Sequence, residues 1–147
     1  MKTLEHSIDI DASPGAVWAV LSDFAAFEEW NPFMTIEGKV TAVGDRFKVT
    51  IRPPNRRAMT FTPTVTEYES GMSIGWLGRF LVPRMLDGAH SLRIEPLPGG
   101  RVRFTQRETF RGILVPFMRG MLRDTDAGFT EMNEALRARV KPSAVGQ

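Results

Sequence analysis

The fold is decided by residues 116–140, which read PFMRGMLRDTDAGFTEMNEALRARV. Apolar or small side chains recur there at steps of three and four, the spacing that puts them on one face of an α-helix. They are Phe117, Met118, Met121, Leu122, Thr125, Phe129, Met132, Leu136 and Val140. Pro116 suits the first helical position, where its missing N–H costs nothing, and Pro142 marks the end. At 1.5 Å per residue such a helix is about 37 Å long, so it needs a broad apolar partner.

Composition limits the architecture. The chain has 147 residues, of which 42% are hydrophobic and 24% charged. These values are typical of one globular domain that can bury a core without disulfides. We expect a single domain over residues 1–141, followed by a loose C-terminal tail at residues 142–147. The chain contains no cysteine, which removes disulfides and thiolate chemistry from consideration.

Several classes of function and location are disfavoured by the sequence. The first ten residues, MKTLEHSIDI, lack the apolar run of a signal peptide, and no apolar stretch reaches transmembrane length. We therefore expect a cytoplasmic protein with no integral membrane segment. A net charge of +2 without a recognition motif argues against a nucleic-acid partner. His6 and His90 are the only histidines, so no metal is expected. No cofactor is expected either, and the sequence leaves a homodimer open.

The sequence pattern before this helix predicts a sheet, with two helices inserted after its first strand. Ser13 and Pro14 predict the start of one helix, as N-cap and first-turn residue, and a second short helix is predicted at residues 24–29. Alternating apolar residues and turn signals predict seven strands. They lie at residues 3–10, 34–41, 46–51, 58–69, 72–80, 88–95 and 101–110. Pro63 places the fourth strand at an edge or at a bulge. The predicted class is α+β, one curved antiparallel sheet against the terminal helix.

The last strand indicates which side chains point inward. Two alternating sets occupy it: Val102, Phe104, Gln106, Glu108 and Phe110 on one face, and Arg101, Arg103, Thr105, Arg107 and Thr109 on the other. Because the second set suits solvent, Gln106 and Glu108 must point toward the helix. Burying a carboxylate in an apolar interior lowers the stability of the fold by several kcal/mol unless the group is paired, hydrated or protonated. If paired residue numbers in the preceding hairpin sum to 196 or 198, His90 lies opposite Gln106 or Glu108.

A set of short motifs in a fixed order resembles a known family. The motifs are Ile10-Asp11-Ala12-Ser13-Pro14 with Val17-Trp18, Trp30-Asn31-Pro32-Phe33, Gly44-Asp45-Arg46-Phe47, Trp76 with Gly78, Gly88-Ala89-His90, and Glu108-Thr109-Phe110-Arg111-Gly112. Their order is similar to that of the polyketide cyclase/dehydrase branch of the START-like (SRPBCC, Bet v 1-like) superfamily. The resemblance implies a helix-grip fold, in which a seven-stranded antiparallel sheet curves around the long C-terminal helix. It also implies an apolar cavity that binds a hydrophobic small molecule.

The residues expected to line that cavity come from most of the chain. They are Trp30, Phe33, Phe47, Phe61, Trp76, Phe80, His90, Leu92, Phe104, Gln106, Glu108, Phe110, Phe117, Met118, Met121 and Thr125. Methionines suit an adaptable wall, because thioethers repack around varied shapes. Any single aromatic or methionine in this set is better explained as core packing. Taken together with inward polar groups, the set favours a pocket.

His90 and Glu108 are the candidate catalytic residues. Glu108 could act as a general acid or base in apolar surroundings; alternatively it is a structural carboxylate paired with His90 or an arginine. His90 could relay a proton or hold a ligand oxygen, or it could be a satisfied histidine bonded to Gln106 or Glu108. Arg52, Arg56 and Arg57 could meet an anionic ligand or a membrane surface, although exposed arginines in a loop are more often simply solvated.

Three functions follow from these observations. The favoured one is binding or transport of a hydrophobic small molecule, such as a lipid, polyketide or aromatic metabolite, between sheet and helix. The second is a polyketide cyclase/dehydratase-like enzyme with His90 and Glu108 as acid and base. The third is a non-catalytic interaction protein whose cavity is filled by its own side chains.

Overall fold

A computed structural model describes residues 1–80, 82 and 84–140 of the chain, apart from the side chain of Phe80. The tail predicted at residues 142–147 lies outside the described residues. Among the helices that are described, none combines the length and apolarity required to cross a bilayer.

The order of elements is strand, two short helices, seven further strands and a long helix. The strands are β1 (Lys2–Ile10), β2 (Met34–Gly38), β3 (Phe47–Ile51), β4 (Met59–Phe61), β5 (Thr64–Glu69), β6 (Ser73–Phe80), β7 (Leu86–Leu97) and β8 (Arg101–Arg111). The α-helices are α1 (Pro14–Leu21), α2 (Phe27–Trp30) and α3 (Arg119–Arg139), with 3-10 turns at Phe24–Ala26 and Val115–Phe117. The α+β class is confirmed, with antiparallel strands and a C-terminal helix as in a helix-grip fold.

The strand count differs from the predicted seven because one strand is divided. A five-stranded sheet has the order β1-β8-β7-β6-β5, and a three-stranded sheet has the order β2-β3-β4. The strand predicted at residues 58–69 breaks between them into β4 and β5. Pro63 has no N–H to donate to a ladder, and its carbonyl accepts from Phe47 N at 3.3 Å. The chain changes sheets at this proline. Both pieces are edge strands of their sheets, and the register of β5 shifts between Val65 and Glu67, which confirms the edge or bulge predicted from Pro63.

Local chemistry fixes the start of the first helix, as the sequence predicts, and also the turn into β2. The Ser13 hydroxyl accepts a hydrogen bond from Ala16 N at 3.2 Å, and Pro14 begins α1. The Asn31 side-chain oxygen accepts from the backbone N–H groups of Phe33 and Met34 at 2.9 and 3.0 Å. These bonds form an Asx-type turn that stops α2 and redirects the chain into β2.

Helix α3 starts later than residue 116. Pro116 belongs to the preceding 3-10 turn, and the α-helix itself begins at Arg119. Its buried side is formed by Leu122, Asp124, Thr125, Gly128, Phe129, Met132, Asn133 and Leu136. This confirms the predicted apolar stripe from Leu122 onward and adds two polar residues, Asp124 and Asn133, that the pattern did not single out.

The register of the last hairpin agrees with the sequence analysis. In the β7–β8 ladder His90 lies opposite Glu108, so the paired numbers sum to 198. Val102, Phe104, Gln106 and Phe110 are buried and Glu108 is partly buried, which confirms the inward set on β8.

The long helix lies across the inner face of the larger sheet, with contacts to β1 and β8. At Gly128 the ring of Phe33 fills the space that a Cβ atom would take. The same ring meets Phe129 edge-on, with centroids 5.5 Å apart. The absence of a side chain at Gly128 therefore lets the segment before β2 pack directly on the helix.

Candidate functional site

A cavity of about 70 Å³ lies between the larger sheet, the smaller sheet and helix α3. Its wall is mostly apolar. The lining residues are Phe33, Met34, Val49, Ile51, Phe61, Pro63, Trp76, Gly78, Arg79, Leu86, Gly88, His90, Glu108, Phe110, Met121 and Thr125. Both sheets and the helix thus contribute to one site, as expected where a curved sheet is covered by a single helix.

Two glycines make room on the floor of this cavity. Gly78 and Gly88 are opposite each other in the β6–β7 ladder, so neither strand places a side chain there. A Cβ atom on Gly88 would lie 2.5 Å from Glu108 Oε2. The missing side chain at Gly88 therefore allows the Glu108 carboxyl group to lie over the neighbouring strand, at the cavity wall.

His90 and Glu108 form a close pair on that wall. His90 Nδ1 is 3.4 Å from Glu108 Oε1, and the two side chains are 4% and 17% exposed. The imidazole stacks on Trp76, with centroids 4.9 Å apart and planes 16° from parallel. Phe129 covers another side of the ring at 5.1 Å. Aromatic packing on two sides fixes the ring orientation, so Nδ1 is directed at the carboxyl group.

A chain of side-chain amides determines where the protons of His90 lie. Asn133 Nδ2 donates to the His6 carbonyl at 3.3 Å, and a carbonyl can only accept. The Asn133 oxygen is then the acceptor for Gln106 Nε2, at 2.8 Å. This leaves Gln106 Oε1 as the acceptor facing His90 Nε2 at 3.1 Å. His90 Nε2 must therefore carry a hydrogen.

The assignment at Nε2 limits what the other ring nitrogen can do. With Nε2 protonated, a neutral imidazole presents a lone pair at Nδ1. That lone pair lies 3.4 Å from Glu108 Oε1. An imidazole and a carboxyl group so close together at a cavity wall are the kind of pair that general acid–base chemistry uses.

An ion pair joins the loop between β3 and β4 to helix α3 beside the cavity. Arg56 Nε donates to Asp124 Oδ2 at 2.7 Å, and Asp124 precedes Thr125 of the cavity wall. The hydrogen bond from Arg56 holds the pKa of the Asp124 carboxyl below its usual value of 3.8, against the opposing effect of its burial, with Arg123 helping to lower it. The loop is thereby attached to the helix through a charged contact.

This contact should make the stability of the fold depend on acidic pH. A carboxyl group whose pKa is lower in the folded state stabilises the fold above its unfolded pKa, and the stabilisation is lost as pH falls through the folded value. We expect the urea midpoint of the wild type to fall more between about pH 7 and about pH 3 than that of an Asp124→Asn variant. Denaturation followed by circular dichroism measures both.

The control for this experiment is Asp11→Asn. Asp11 is exposed and, within the described residues, forms no ion pair. Its removal should leave the acid-induced loss of stability as in the wild type. Equal pH dependence in the wild type and Asp124→Asn would contradict a stabilising role for the Arg56 contact.

The structure brings half of the predicted cavity residues to the wall. These are Phe33, Phe61, Trp76, His90, Glu108, Phe110, Met121 and Thr125. Others are packed elsewhere: Phe47, Leu92, Phe104 and Gln106 are buried outside the lining, and Trp30 and Met118 are partly buried. Phe117 was placed wrongly, since it is 83% exposed. The side chain of Phe80 lies outside what the structure describes.

Sequence reasoning quoted the two glycines as motif residues without giving them a role in the cavity, and it did not single out Asn133. A glycine in a strand often marks close approach of another group, and Gly88 lies beside the predicted His90–Glu108 pairing. Asn133 follows Phe129 by four residues, so helical spacing alone places it on the buried face. Over the described residues there is no group of three His, Cys, Asp or Glu side chains placed to hold a metal ion.

Comparison with protein families agrees with this architecture. The family model described as polyketide cyclase/dehydrase and lipid transport matches residues 1–141. The chain belongs to this family. The resemblance inferred from the sequence motifs is thereby confirmed. No curated protein gave a match.

Solved structures similar to this polyketide cyclase/dehydrase family member share its fold at low identity. A protein from Chromobacterium violaceum is 18% identical, with a TM-score of 0.73 over 97% of this chain and 99% of the other. The Zhui aromatase/cyclase from Streptomyces sp. R1128 is 16% identical, with a TM-score of 0.70 over 93% and 92%. A START superfamily protein from Mycobacterium smegmatis is 16% identical, with a TM-score of 0.69 over 94% and 96%. At these identities the likeness concerns the fold.

Proposed function

We propose that this family member binds a hydrophobic small molecule in the cavity between the sheets and helix α3. The observation that carries the proposal is the mostly apolar wall with one polar pair, His90 and Glu108, set into it. Pockets for small ligands typically combine apolar surface with a few fixed polar groups. The family description, which includes lipid transport, also supports binding of a hydrophobic molecule.

The size of the cavity implies that its wall moves when a ligand enters. Pockets for drug-sized ligands measure about 300–1,000 Å³, whereas this cavity measures about 70 Å³. Met34 and Met121 belong to the wall, and unbranched thioether chains change rotamer easily. Met121 and Phe61 are only partly buried, so they are the wall residues best placed to move outward.

The polar pair supplies a hydrogen-bonding contact for the ligand. His90 Nε2 is already committed to Gln106, and His90 Nδ1 faces Glu108 Oε1. Glu108 Oε2 lies over Gly88 at the cavity floor and remains for the ligand. We expect a molecule that is largely apolar and carries a hydroxyl or carbonyl group at one position.

Native mass spectrometry of freshly purified protein, followed by titration with a neutral fluorescent apolar dye, tests the proposal. We expect a bound small molecule, or saturable dye binding with one dye per chain, and displacement of the dye by lipid or polyketide-like compounds. A protein that carries no small molecule and binds no dye saturably would refute the proposal. That outcome would favour the third function, an interaction protein with a filled cavity.

A second candidate function is an enzyme of the cyclase or dehydratase type. The close His90–Glu108 contact favours it, because an imidazole and a carboxyl group 3.4 Å apart at the cavity wall are suited to proton transfer. Incubation with a poly-β-keto thioester, analysed by mass spectrometry, distinguishes the two candidates. Conversion by the wild type but not by Glu108→Gln would establish the enzyme, whereas dye binding without conversion would leave a binding protein.

A further inference from the structure

Two large apolar side chains are held in solvent beside unpaired arginines. Phe117 is 83% exposed and Ile113 is 68% exposed. Arg111 and Arg119 are exposed and lie two residues from Ile113 and Phe117 respectively, and Arg84 is also exposed. We name these five residues the basic apolar surface. Side chains of this size are usually buried, so their exposure together needs an explanation.

The backbone that carries these residues is firmly held. Ile113 N donates to the Arg84 carbonyl at 3.1 Å and Leu114 N donates to the Met85 carbonyl at 3.0 Å. Phe117 N donates to the Leu114 carbonyl at 2.9 Å within the 3-10 turn. These bonds bring Arg84 next to Ile113 and fix the turn that presents Phe117. The exposed side chains are therefore part of a defined surface and not the ends of a loose loop.

The segment that carries most of this surface is basic, and Asp87, which is opposite Arg111 in the β7–β8 ladder, lies 4.0 Å from Arg79. Residues 109–123 contain three arginines and no aspartate or glutamate. In the part of the chain that the structure describes, Arg84, Arg111 and Arg119 form no ion pair. Exposed apolar side chains with unpaired cations close to them along the chain match the chemistry of an anionic bilayer, where apolar groups enter the acyl boundary and guanidinium groups contact phosphates.

We propose that the basic apolar surface docks the protein on an anionic lipid bilayer. This inference goes beyond ligand binding and does not depend on it. Phe110 and Leu86 of the cavity wall are one and two residues from Arg111 and Arg84, so the same segments of the chain carry the surface and part of the cavity wall.

Vesicle flotation tests the proposal with the full chain. The wild type is expected to float with vesicles of equal parts phosphatidylcholine and phosphatidylglycerol but not with phosphatidylcholine alone. Added salt should weaken binding, because exposed charges are screened beyond about 10 Å at 0.1 M salt. The double variant Ile113→Ser/Phe117→Ser should bind anionic vesicles at least about tenfold more weakly.

Two further variants make the test specific. Val43→Ser removes an apolar side chain that is 64% exposed elsewhere and should bind vesicles like the wild type. The triple variant Arg84→Gln/Arg111→Gln/Arg119→Gln should lose most of the salt-sensitive binding, and it keeps the test decisive if the double variant does not fold. Dye binding by the cavity, measured on the same variants, should be unchanged, which separates this proposal from the proposed function.

Three results would overturn the assignment. The first is that the wild type does not bind anionic vesicles. The second is that the wild type, the double variant and the triple variant all bind them equally. The third is a dimer, detected by analytical ultracentrifugation, that the double variant abolishes while vesicles are not bound. That result would assign the surface to a second copy of the chain.

Discussion

Replacing Phe129 with alanine should lower the free energy of unfolding by about 3–5 kcal/mol. Phe129 is completely buried on helix α3. Its ring packs edge-on against Phe33 at 5.5 Å and against His90 at 5.1 Å. Its removal leaves a void where helix, sheet and the segment before β2 meet. Since domains are usually stable by about 5–15 kcal/mol, the loss should be readily visible in urea denaturation followed by circular dichroism.

Phe117→Ala is the matched control for this substitution. It removes the same side chain shortly before the same helix, but Phe117 is exposed. Its effect on stability should stay within about 0.5 kcal/mol. Equal losses in the two variants would contradict the described packing of the helix.

Replacing Met121 with tryptophan should abolish most of the dye binding expected for the wild type. Met121 lies on helix α3 and forms part of the cavity wall. The larger indole would occupy space in a cavity of only about 70 Å³, so a ligand could enter only by displacing it. We expect affinity to fall at least about tenfold, or ~1.4 kcal/mol, in a fluorescence titration.

Met72→Trp provides the control for Met121→Trp. Met72 is exposed and does not line the cavity, so the same change there should leave dye affinity as in the wild type. Thermal unfolding checks that both variants are folded, since overpacking at Met121 can cost about 1–3 kcal/mol. Undiminished binding by a folded Met121→Trp variant would place the dye outside the cavity.

The strand that carries the site was predictable because its two faces differ sharply. On β8 arginines and threonines alternate with Val102, Phe104 and Phe110. A period of two leaves one choice of inward face, and it places Glu108 inside. The parity of the hairpin then left Gln106 or Glu108 as the residue opposite His90, and the ladder shows that it is Glu108.

Phe117 shows where periodicity fails. The apolar spacing extends past the true helix start, so residue 117 was assigned to a face that the α-helix does not yet have. The 3-10 turn of Val115–Phe117 has three residues per turn instead of 3.6. The side chain is therefore rotated into solvent, and no local pattern distinguishes this turn from the first turn of the helix.

Membership of the cavity wall was less predictable than burial. Phe47 is buried, as an inward residue should be, but it packs edge-on against Trp76 at 5.3 Å and does not line the cavity. Which inward residues meet the cavity depends on where the chain changes sheets at Pro63 and where Gly78 faces Gly88. Those are three-dimensional relations between distant segments, and strand patterns do not contain them.

The mostly apolar wall of the cavity has a consequence for selectivity. Its two inner ionisable side chains, His90 and Glu108, face each other at 3.4 Å, so an ionic headgroup brought into the interior would meet no free counterion. Such a group would lose its hydration without compensation. Arg79 is exposed on the cavity wall, with Asp87 as a partner only at 4.0 Å, and so gives an anionic group a better place than the interior does. An amphipathic molecule should consequently enter tail first, with its charged end left at the entrance.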